Sequence, residues 1–167
     1  MRLINLYMAI SNRTLTTQIV ISPHNMINRM STFQISNEIP APLDDVWKIV
    51  SDIDREPEYW HGTKSVMNIR KVGNIVERET VIAFRKSVCK EILTLDAKNA
   101  VKKRIIDGPI RGTKDIILTP IGTNKTRVDV NWAITVNGFF GLFAGIIRRH
   151  ISKGTQDALN RISDKAT

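Results

Sequence analysis

The sequence predicts a single α+β domain in which an antiparallel sheet packs against one long C-terminal helix. Three observations support this prediction. One alternating strand and a short helix follow Met30, six further strand-like segments come next, and an amphipathic helix closes the chain. Only short turns separate the six segments, whereas parallel neighbours need a crossover of a dozen or more residues. The 167 residues suffice for one domain with a real core and are too few for two.

Residues 1–29 differ in composition from the rest of the chain. They contain three arginines but no Asp or Glu, and they are rich in Ser, Thr and Asn. This composition is compatible with a transit peptide, whereas the position of Met30, directly before the first strand, favours an upstream start codon. We therefore expect a disordered leader or upstream-start extension at residues 1–29 and a single domain at residues 30–167.

The first two predicted elements are a strand and a short helix. Apolar and polar side chains largely alternate over residues 33–39, which is the pattern of a half-buried strand. Pro40 and Pro42 end this strand, and proline is tolerated in the first turn of a helix. Residues 52–57 break the helix, and residues 58–62 follow as a loop or short turn. The apolar stripe that predicts the helix consists of Val46, Ile49, Val50 and Ile53.

Six strand-like segments come next, with turn residues such as Gly73 and Asn74 between them. The short turns predict antiparallel hairpins. In the last segment, apolar side chains share one face and mostly polar side chains share the other. The segments are residues 65–71, 75–84, 87–95, 101–106, 113–119 and 126–136.

The predicted C-terminal helix begins at Gly138 and runs to about Lys165. Large apolar residues recur every four positions in its first half, and smaller ones continue the stripe. Gly154 inside a helix costs roughly 1 kcal/mol relative to Ala, so close approach by the sheet or by a ligand is one reason to retain it. The stripe consists of Phe139, Phe143, Ile147, Ile151, Gly154, Ala158 and Ile162.

The formal net charge of +9 is compatible with three classes of partner: a nucleic acid, an anionic membrane surface or an anionic ligand. The basic residues are scattered, however, and no aromatic-basic stacking motif accompanies them. A solvated surface therefore explains most of them, and nucleic acid is not the expected partner. No segment approaches the roughly 18 unbroken apolar residues of a membrane helix. The single cysteine, Cys89, excludes an internal disulfide framework and favours a reducing, cytoplasmic compartment.

Three segments carry a resemblance to a known group of proteins. They are residues 39–52 (IPAPLDDVWKIVSD), residues 56–60 (EPEYW) and residues 107–112 (DGPIRG). Through them, residues 32–165 resemble the SRPBCC superfamily of START-type and birch-pollen-allergen-like domains, and within it the polyketide cyclase/dehydrase and coenzyme Q-binding group. The resemblance implies the helix-grip fold, in which a curved antiparallel sheet wraps around the C-terminal helix and encloses an apolar cavity.

The resemblance implies no single chemistry, because members bind lipids, quinones, hormones or polyketides and only some catalyse. It does imply that cavity walls come from inward strand faces, from the stretch around Trp60 and from the inner stripe of the last helix. Ordinary core packing is the alternative for the aromatic and flexible residues among the candidates. The candidate cavity-lining residues are Trp60, His61, Met67, Arg78, Arg104, Trp132, Phe139, Phe143 and Ile147.

The sequence offers little for catalysis. No pair of its three histidines has metal-ligand spacing, and only His61 lies near the implied cavity mouth, where it would still need a partner to act on a proton. Alternation places Arg78 on one strand face and the flanking Glu77 and Glu79 on the other. An inward Arg78 would mark a buried ion pair or a ligand contact, whereas the alternative is that the polar face meets water. Arg104 poses the same question.

We expect no cofactor, no metal and no catalytic residue, because no phosphate-binding loop, dinucleotide fingerprint or Cys/His cluster is present. The favoured function is binding or transport of a hydrophobic small molecule, a lipid or an isoprenoid quinone-like compound, with possible peripheral contact with an anionic membrane. One alternative is a cyclase or dehydratase acting on a polyketide-like substrate. A second alternative, motivated by the charge, is a regulatory role in association with ribosomes or RNA.

Overall fold

The computed structural model describes residues 30–136 and 143–167. Within these residues the chain forms a seven-stranded antiparallel sheet and three α-helices. The predicted leader at residues 1–29 and the predicted first turn of the last helix, with Phe139, lie outside the described residues. The elements are β1 (Ser31–Ile39), α1 (Leu43–Val50), α2 (Glu56–Tyr59), β2 (Thr63–Val72), β3 (Ile75–Ile82), β4 (Val88–Asp96), β5 (Ala100–Asp107), β6 (Ile110–Pro120), β7 (Thr126–Val136) and α3 (Ala144–Ala166).

The strands are arranged in the order β1-β7-β6-β5-β4-β3-β2, and every neighbouring pair is antiparallel. Strands β2 to β7 therefore form a meander of hairpins. Strand β1 pairs with β7 and forms the edge of the sheet opposite β2. Phe33 of β1 lies opposite Trp132 of β7, and their rings stack with centroids 6.2 Å apart. The predicted antiparallel meander is confirmed.

Helix α3 packs against β1, β7 and α1, and the core lies between these elements. Strand residues at every second position point into the core, which accounts for the alternating burial along β3 to β7. The second half of α3 contributes three fully buried apolar residues to this core. They are Ala158, Leu159 and Ile162.

A smaller hydrophobic cluster lies beneath the first half of α3. It contains Cys89 of β4, and Ile147 and Ile151 pack against it while remaining half-buried. Burial raises the pKa of the Cys89 thiol to about 11, with a smaller contribution from Glu91. The predicted C-terminal helix is thus present, but its two halves differ in how deeply they are buried.

The segment between α1 and β2 is more regular than the sequence suggests. The sequence predicts a break at residues 52–57 and then a loop or short turn at residues 58–62. The structure instead has a 3-10 turn at Ile53–Arg55 that leads directly into α2. Proline is tolerated in the first turn of a helix, and an ion pair between Arg55 and Glu58 at 2.6 Å spans this turn. The short helix matters because it carries Glu56 into the core.

Close approach by the sheet, one of the two reasons considered for Gly154, is not found. Among the described residues, no atom outside the backbone of α3 lies within 4 Å of the position that a Cβ at Gly154 would take. Gly112 of β6 is the tighter glycine, because a Cβ there would lie 2.0 Å from the carbonyl oxygen of Ala133.

No helix in the described part of the chain is long and apolar enough to cross a membrane.

Candidate functional site

Five ionisable side chains lie buried between α2 and the sheet, and we refer to them as the buried charge cluster. Each comes from a different element, namely α2 and the four successive strands β3, β4, β5 and β6. The exposed fraction of each residue is 7% or less. Such groups are almost never fully buried unless they are paired. The members of the cluster are Glu56, Arg78, Glu91, Lys103 and Lys114.

Strand register brings the four sheet members of the cluster together. Arg78 lies directly opposite Glu91 across the β3–β4 pair, and Lys103 lies opposite Lys114 across the β5–β6 pair. Leu93, two residues after Glu91, lies opposite Lys103. Because residues two apart share a face of a strand, all four side chains point to the same side of the sheet, where α2 covers them.

Glu56 is the carboxylate that joins the three cations. Its Oε2 accepts a hydrogen bond from Nη2 of Arg78, and its Oε1 accepts one from Nζ of Lys103 at 2.7 Å. Nζ of Lys114 lies farther from the same Oε1, at 3.4 Å. Burial by itself would raise the pKa of Glu56, but Lys103, Lys114 and Arg78 outweigh it and hold the pKa well below its usual range. Glu56 is therefore ionised at neutral pH.

Glu91 is the second carboxylate of the cluster, and it contacts two of the three cations, Arg78 and Lys103. Its Oε2 accepts hydrogen bonds from Nε of Arg78 at 3.1 Å and from the hydroxyl of Thr80 at 2.9 Å, and it lies 3.2 Å from Nζ of Lys103. Arg78 donates a further hydrogen bond to the carbonyl of Ile53 at 3.0 Å. Arg78 could have formed a buried ion pair, contacted a ligand or faced water. The structure shows the buried ion pair.

Lys114 is held less tightly than the other two cations. In the described residues its hydrogen-bond acceptor is Glu56, and its Nζ otherwise lies 3.1 Å from the ring centroid of Trp60 and 5.6 Å from that of Trp132. An ammonium has three donors, and among the described residues Glu56 accepts a hydrogen bond from only one of them. Burial lowers the pKa of Lys114 to about 7, since the attraction of Glu56 and Glu91 only partly offsets burial and the repulsion from Lys103 and Arg78.

Lys114 is one of the residues that line a small cavity of about 20 Å³. A cavity of this size holds about one water molecule. Its polar lining comes from Glu56, Lys103, Lys114 and the exposed Asp52, and most of its remaining wall is apolar. The remaining lining residues are Ile49, Val50, Ile53, Tyr59, Trp60, Leu93, Val101, Ile116 and Ile162.

Three of the candidate residues from the sequence lie in or beside the interior. Trp60 lines the cavity, and Arg78 belongs to the buried charge cluster. Trp132 is half-buried and donates a hydrogen bond from Nε1 to the hydroxyl of Thr155 at 3.1 Å. Ile147 packs over the smaller hydrophobic cluster, away from the cavity.

Four other candidates lie on the surface in this structure and do not line the cavity. Met67 is 59% exposed on the edge strand β2, and Phe143 is 44% exposed at the start of α3. His61 and Arg104 are also exposed. Arg104 faces outward because its neighbour Lys103 occupies the inward position. Phe139 lies outside the described residues, so its lining role stays a prediction. A lining role of the four exposed residues in a ligand-bound state also stays a prediction.

Sequence reasoning missed four members of the cluster, although the strands contain a usable signal. Lys103 lies between Val101 and Ile105 at spacings of two, and Lys114 precedes Ile116 at the same spacing. Glu91 has the same relation to Cys89 and Leu93. A charged residue inside an apolar alternation is therefore an inward-facing charge. Glu56 gave no such signal, because it lies in a segment that was expected to be irregular.

Comparison with known proteins establishes the family of this domain. Residues 30–167 match the family described as polyketide cyclase/dehydrase and lipid transport. The chain belongs to this family. The predicted SRPBCC relationship is thereby confirmed in its polyketide cyclase/dehydrase branch. No curated protein matches the sequence.

Solved structures of several other proteins share the fold. The Zhui aromatase/cyclase from Streptomyces sp. R1128 has a TM-score of 0.71 at 15% identity, over 83% of this chain and 94% of that one. A protein from Thermus thermophilus has a TM-score of 0.70 at 18% identity, over 81% and 97%. A START superfamily protein from Mycobacterium smegmatis has a TM-score of 0.62 at 14% identity, over 78% and 98%. The predicted helix-grip fold is confirmed, while identities this low show the fold alone.

Proposed function

We propose that the protein binds a hydrophobic small molecule, a lipid or an isoprenoid quinone-like compound, between the sheet and α3. The observation that carries the proposal is the position of the Lys114 amine. Lys114 lines a mostly apolar cavity, and among the described residues its Nζ donates a hydrogen bond to Glu56 alone, so a ligand oxygen could accept another. The apolar body of the ligand contributes the larger share of the binding free energy, at about 0.8 kcal/mol for each buried CH₂.

Binding requires the cavity to enlarge, because about 20 Å³ does not hold an acyl or isoprenoid chain. The first half of α3 is the segment that can separate from the sheet most easily. Its residues are at most half-buried, whereas the fully buried residues of α3 begin at Thr155. Segments with few buried apolar contacts open at the lowest cost in free energy. We infer that a ligand enters beneath residues 144–151.

Native mass spectrometry of the purified protein, with organic extraction of bound molecules, tests this function. A co-purified lipid or quinone at near-stoichiometric amount supports it. If the protein is empty, thermal denaturation with added quinones and fatty acyl compounds is the second measurement, because a ligand of the folded state raises Tm. An empty protein whose Tm no such compound raises would contradict the proposal.

A cyclase or dehydratase acting on a polyketide-like substrate is the second candidate function. It is favoured by the pairing of Lys114, whose pKa is about 7, with a carboxylate 3.4 Å away, because general acids and bases work best near the ambient pH. Turnover of poly-β-carbonyl compounds should then change with pH around 7 and be abolished in Lys114→Met. Turnover that is unaffected by this substitution would exclude the assignment.

Peripheral contact with an anionic membrane is supported by one end of the sheet. The start of β4, the end of β5 and the end of β7 meet there. Exposed apolar side chains at this end, including Ile146 at 69% exposure, lie near Arg148 and Arg149. Each basic residue close to an anionic surface contributes about 1 kcal/mol.

A vesicle-sedimentation assay tests the membrane contact. We expect binding to vesicles containing phosphatidylserine and little binding to pure phosphatidylcholine, and we expect Ile146→Ser to weaken it. Ile69→Ser is the matched control, since Ile69 is 59% exposed on the remote edge strand β2. Equal loss in both variants, or binding that ignores lipid charge, would contradict the assigned surface.

A further inference from the structure

The buried charge cluster carries an excess positive charge. Arg78, Lys103 and Lys114 contribute three cations, whereas Glu56 and Glu91 contribute two anions, so the formal sum is +1. An uncompensated charge in a protein interior is costly, and proteins compensate it by pairing or by a change of protonation. The cluster is therefore one negative charge short.

The excess charge falls on Lys114. Arg78 and Lys103 each contact both carboxylates, whereas Lys114 contacts Glu56 alone within the described residues, and at 3.4 Å. The aromatic face of Trp60 gives additional stabilisation but brings no negative charge that could balance the sum.

The described groups around Lys114 supply no second buried anion on the cavity side. Glu56 and Tyr59 face it from α2, Arg78 from β3, Glu91 from β4 and Lys103 from β5. The wall formed by β7 and α3 presents Trp132 and Ile162, which cannot titrate. The remaining carboxylate at the cavity, Asp52, is exposed to water, so its charge is screened.

We propose that the cavity takes an amphipathic carboxylate, whose head group accepts hydrogen bonds from Nζ of Lys114 and completes the charge balance of the cluster. The apolar tail of this ligand lies between the sheet and the first half of α3. The inference rests on the proposed function, because it names the head group of the molecule that the same cavity binds.

The protonation of Lys114 makes this recognition dependent on pH. With a pKa of about 7, the amine is charged in the free protein below neutral pH and neutral above it. A carboxylate stabilises the charged amine, so binding above pH 7 draws one proton from solution. Linkage then requires the affinity to be constant below pH 7 and to fall about tenfold for each pH unit above it.

Isothermal titration calorimetry with decanoate and decanol tests the proposal. We expect decanoate to bind more tightly than decanol at pH 6 and to bind about 30-fold more weakly at pH 8.5 than at pH 6. Titrations in two buffers of different ionisation enthalpy give the proton count. It should be close to one proton taken up per decanoate at pH 8.5 and close to zero at pH 6, while decanol takes up none.

Two variants locate the effect. Lys114→Met replaces the amine with an uncharged, unbranched side chain that is one atom shorter. It should therefore lose both the preference for decanoate and the pH dependence, while the apolar chain of decanol still binds. Lys153→Met alters an exposed lysine of α3 and should behave as the wild type. The wild-type proton count needs no variant, so the proposal remains testable if Lys114→Met does not fold.

The outcomes separate this inference from the proposed function. Equal binding of decanoate and decanol without proton uptake would overturn the carboxylate site and leave hydrophobic binding intact. Failure of both ligands to bind at either pH would count against hydrophobic binding and the carboxylate site together. A decanoate preference that persists in Lys114→Met would assign the anion to another group and overturn the role of Lys114.

Discussion

Glu56 determines the geometry of the candidate site at the level of single residues. Its two oxygens contact Arg78, Lys103 and Lys114, which come from three different strands. Because each of these cations is buried, the carboxylate acts as a shared counter-ion for the whole cluster. Loss of one partner of a buried ion pair is expensive, since it leaves the remaining charge without compensation.

Glu56→Gln should destabilise the protein by about 3–5 kcal/mol, because it leaves three buried cations with one carboxylate. Urea denaturation gives the free energy of unfolding. Glu58→Gln is the matched control, two residues along the same helix, where an exposed carboxylate pairs with Arg55. Removal of such a surface pair has little effect on stability, because water screens the two charges. Similar losses in the two variants would show that the cluster is not a structural unit.

Lys114→Met should be more stable than the wild type at pH 6, and this advantage should shrink as the pH rises from 7 towards 10. The pKa of Lys114 is about 7 in the folded protein and about 10.4 in an unfolded chain. In this window the unfolded state binds more protons, so the stability of the wild type increases with pH.

Urea denaturation of both proteins across this pH range measures the difference in the free energy of unfolding. The difference cancels pH effects that the two proteins share, and Lys153→Met controls for the loss of an ordinary surface lysine. A difference that stays constant from pH 6 to 10 would show that Lys114 titrates in the folded state as it does in water.

Gly112 illustrates at the level of an element how one residue permits strand pairing. It lies in β6 with φ near 136°, a backbone conformation that favours glycine, and faces the backbone of Ala133 in β7. Residues 110–112 therefore continue β6 further towards its start than the segment at residues 113–119 that the sequence predicts. A close backbone contact of this kind leaves no periodic pattern in the sequence.

Gly112→Ala should lower the free energy of unfolding by more than about 2 kcal/mol, because it adds backbone strain to a direct clash with β7. Gly154→Ala should instead raise it by up to about 1 kcal/mol, since alanine favours the helix and the space beside Gly154 is open. Thermal and urea denaturation of the two variants provide the comparison. A stabilised Gly112→Ala, or a strongly destabilised Gly154→Ala, would contradict these placements.

The secondary-structure elements differ in how well the sequence predicts them. The six hairpin strands and the amphipathic last helix were correctly predicted, because each repeats its apolar pattern over several periods. Helix α2 was missed because a helix of four residues is too short to show a period. The direction of Arg104 was undetermined, since a shift of one residue reverses the face of every side chain in a strand. The inward Lys103 and Lys114 required the register that pairing between strands supplies.

At the level of the whole molecule, helix α3 has a weakly packed first half and a firmly packed second half. Residues 155–162 contribute the fully buried side chains of α3 to the main core, whereas residues 144–151 cover the smaller cluster with side chains that are at most half-buried. Regions with few buried contacts open locally without global unfolding. The division therefore places the proposed entry of a ligand at the weakly packed end of α3.

Amide hydrogen exchange should show this division. We expect amides in residues 148–151 of α3 to exchange at least about tenfold faster than those in residues 158–162, through local opening. A bound hydrophobic ligand should slow the exchange of the first group more than that of the second. Uniform protection along α3, with or without ligand, would mean that the helix moves as one body or does not move.

Cys89 gives this opening a chemical readout. The thiol is the chain's single cysteine and lies beneath the first half of α3, where burial keeps it protonated and out of reach of electrophiles. An alkylating reagent can modify it only while the packing around it is open, and the overlying first half of α3 is the weakly packed part of that cover. The rate of modification therefore measures how often the interior is accessible, and a ligand that closes the interior lengthens the lifetime of the free thiol. The alkylation rate of Cys89 thus measures the opening that we propose to precede binding, and no engineered cysteine is needed.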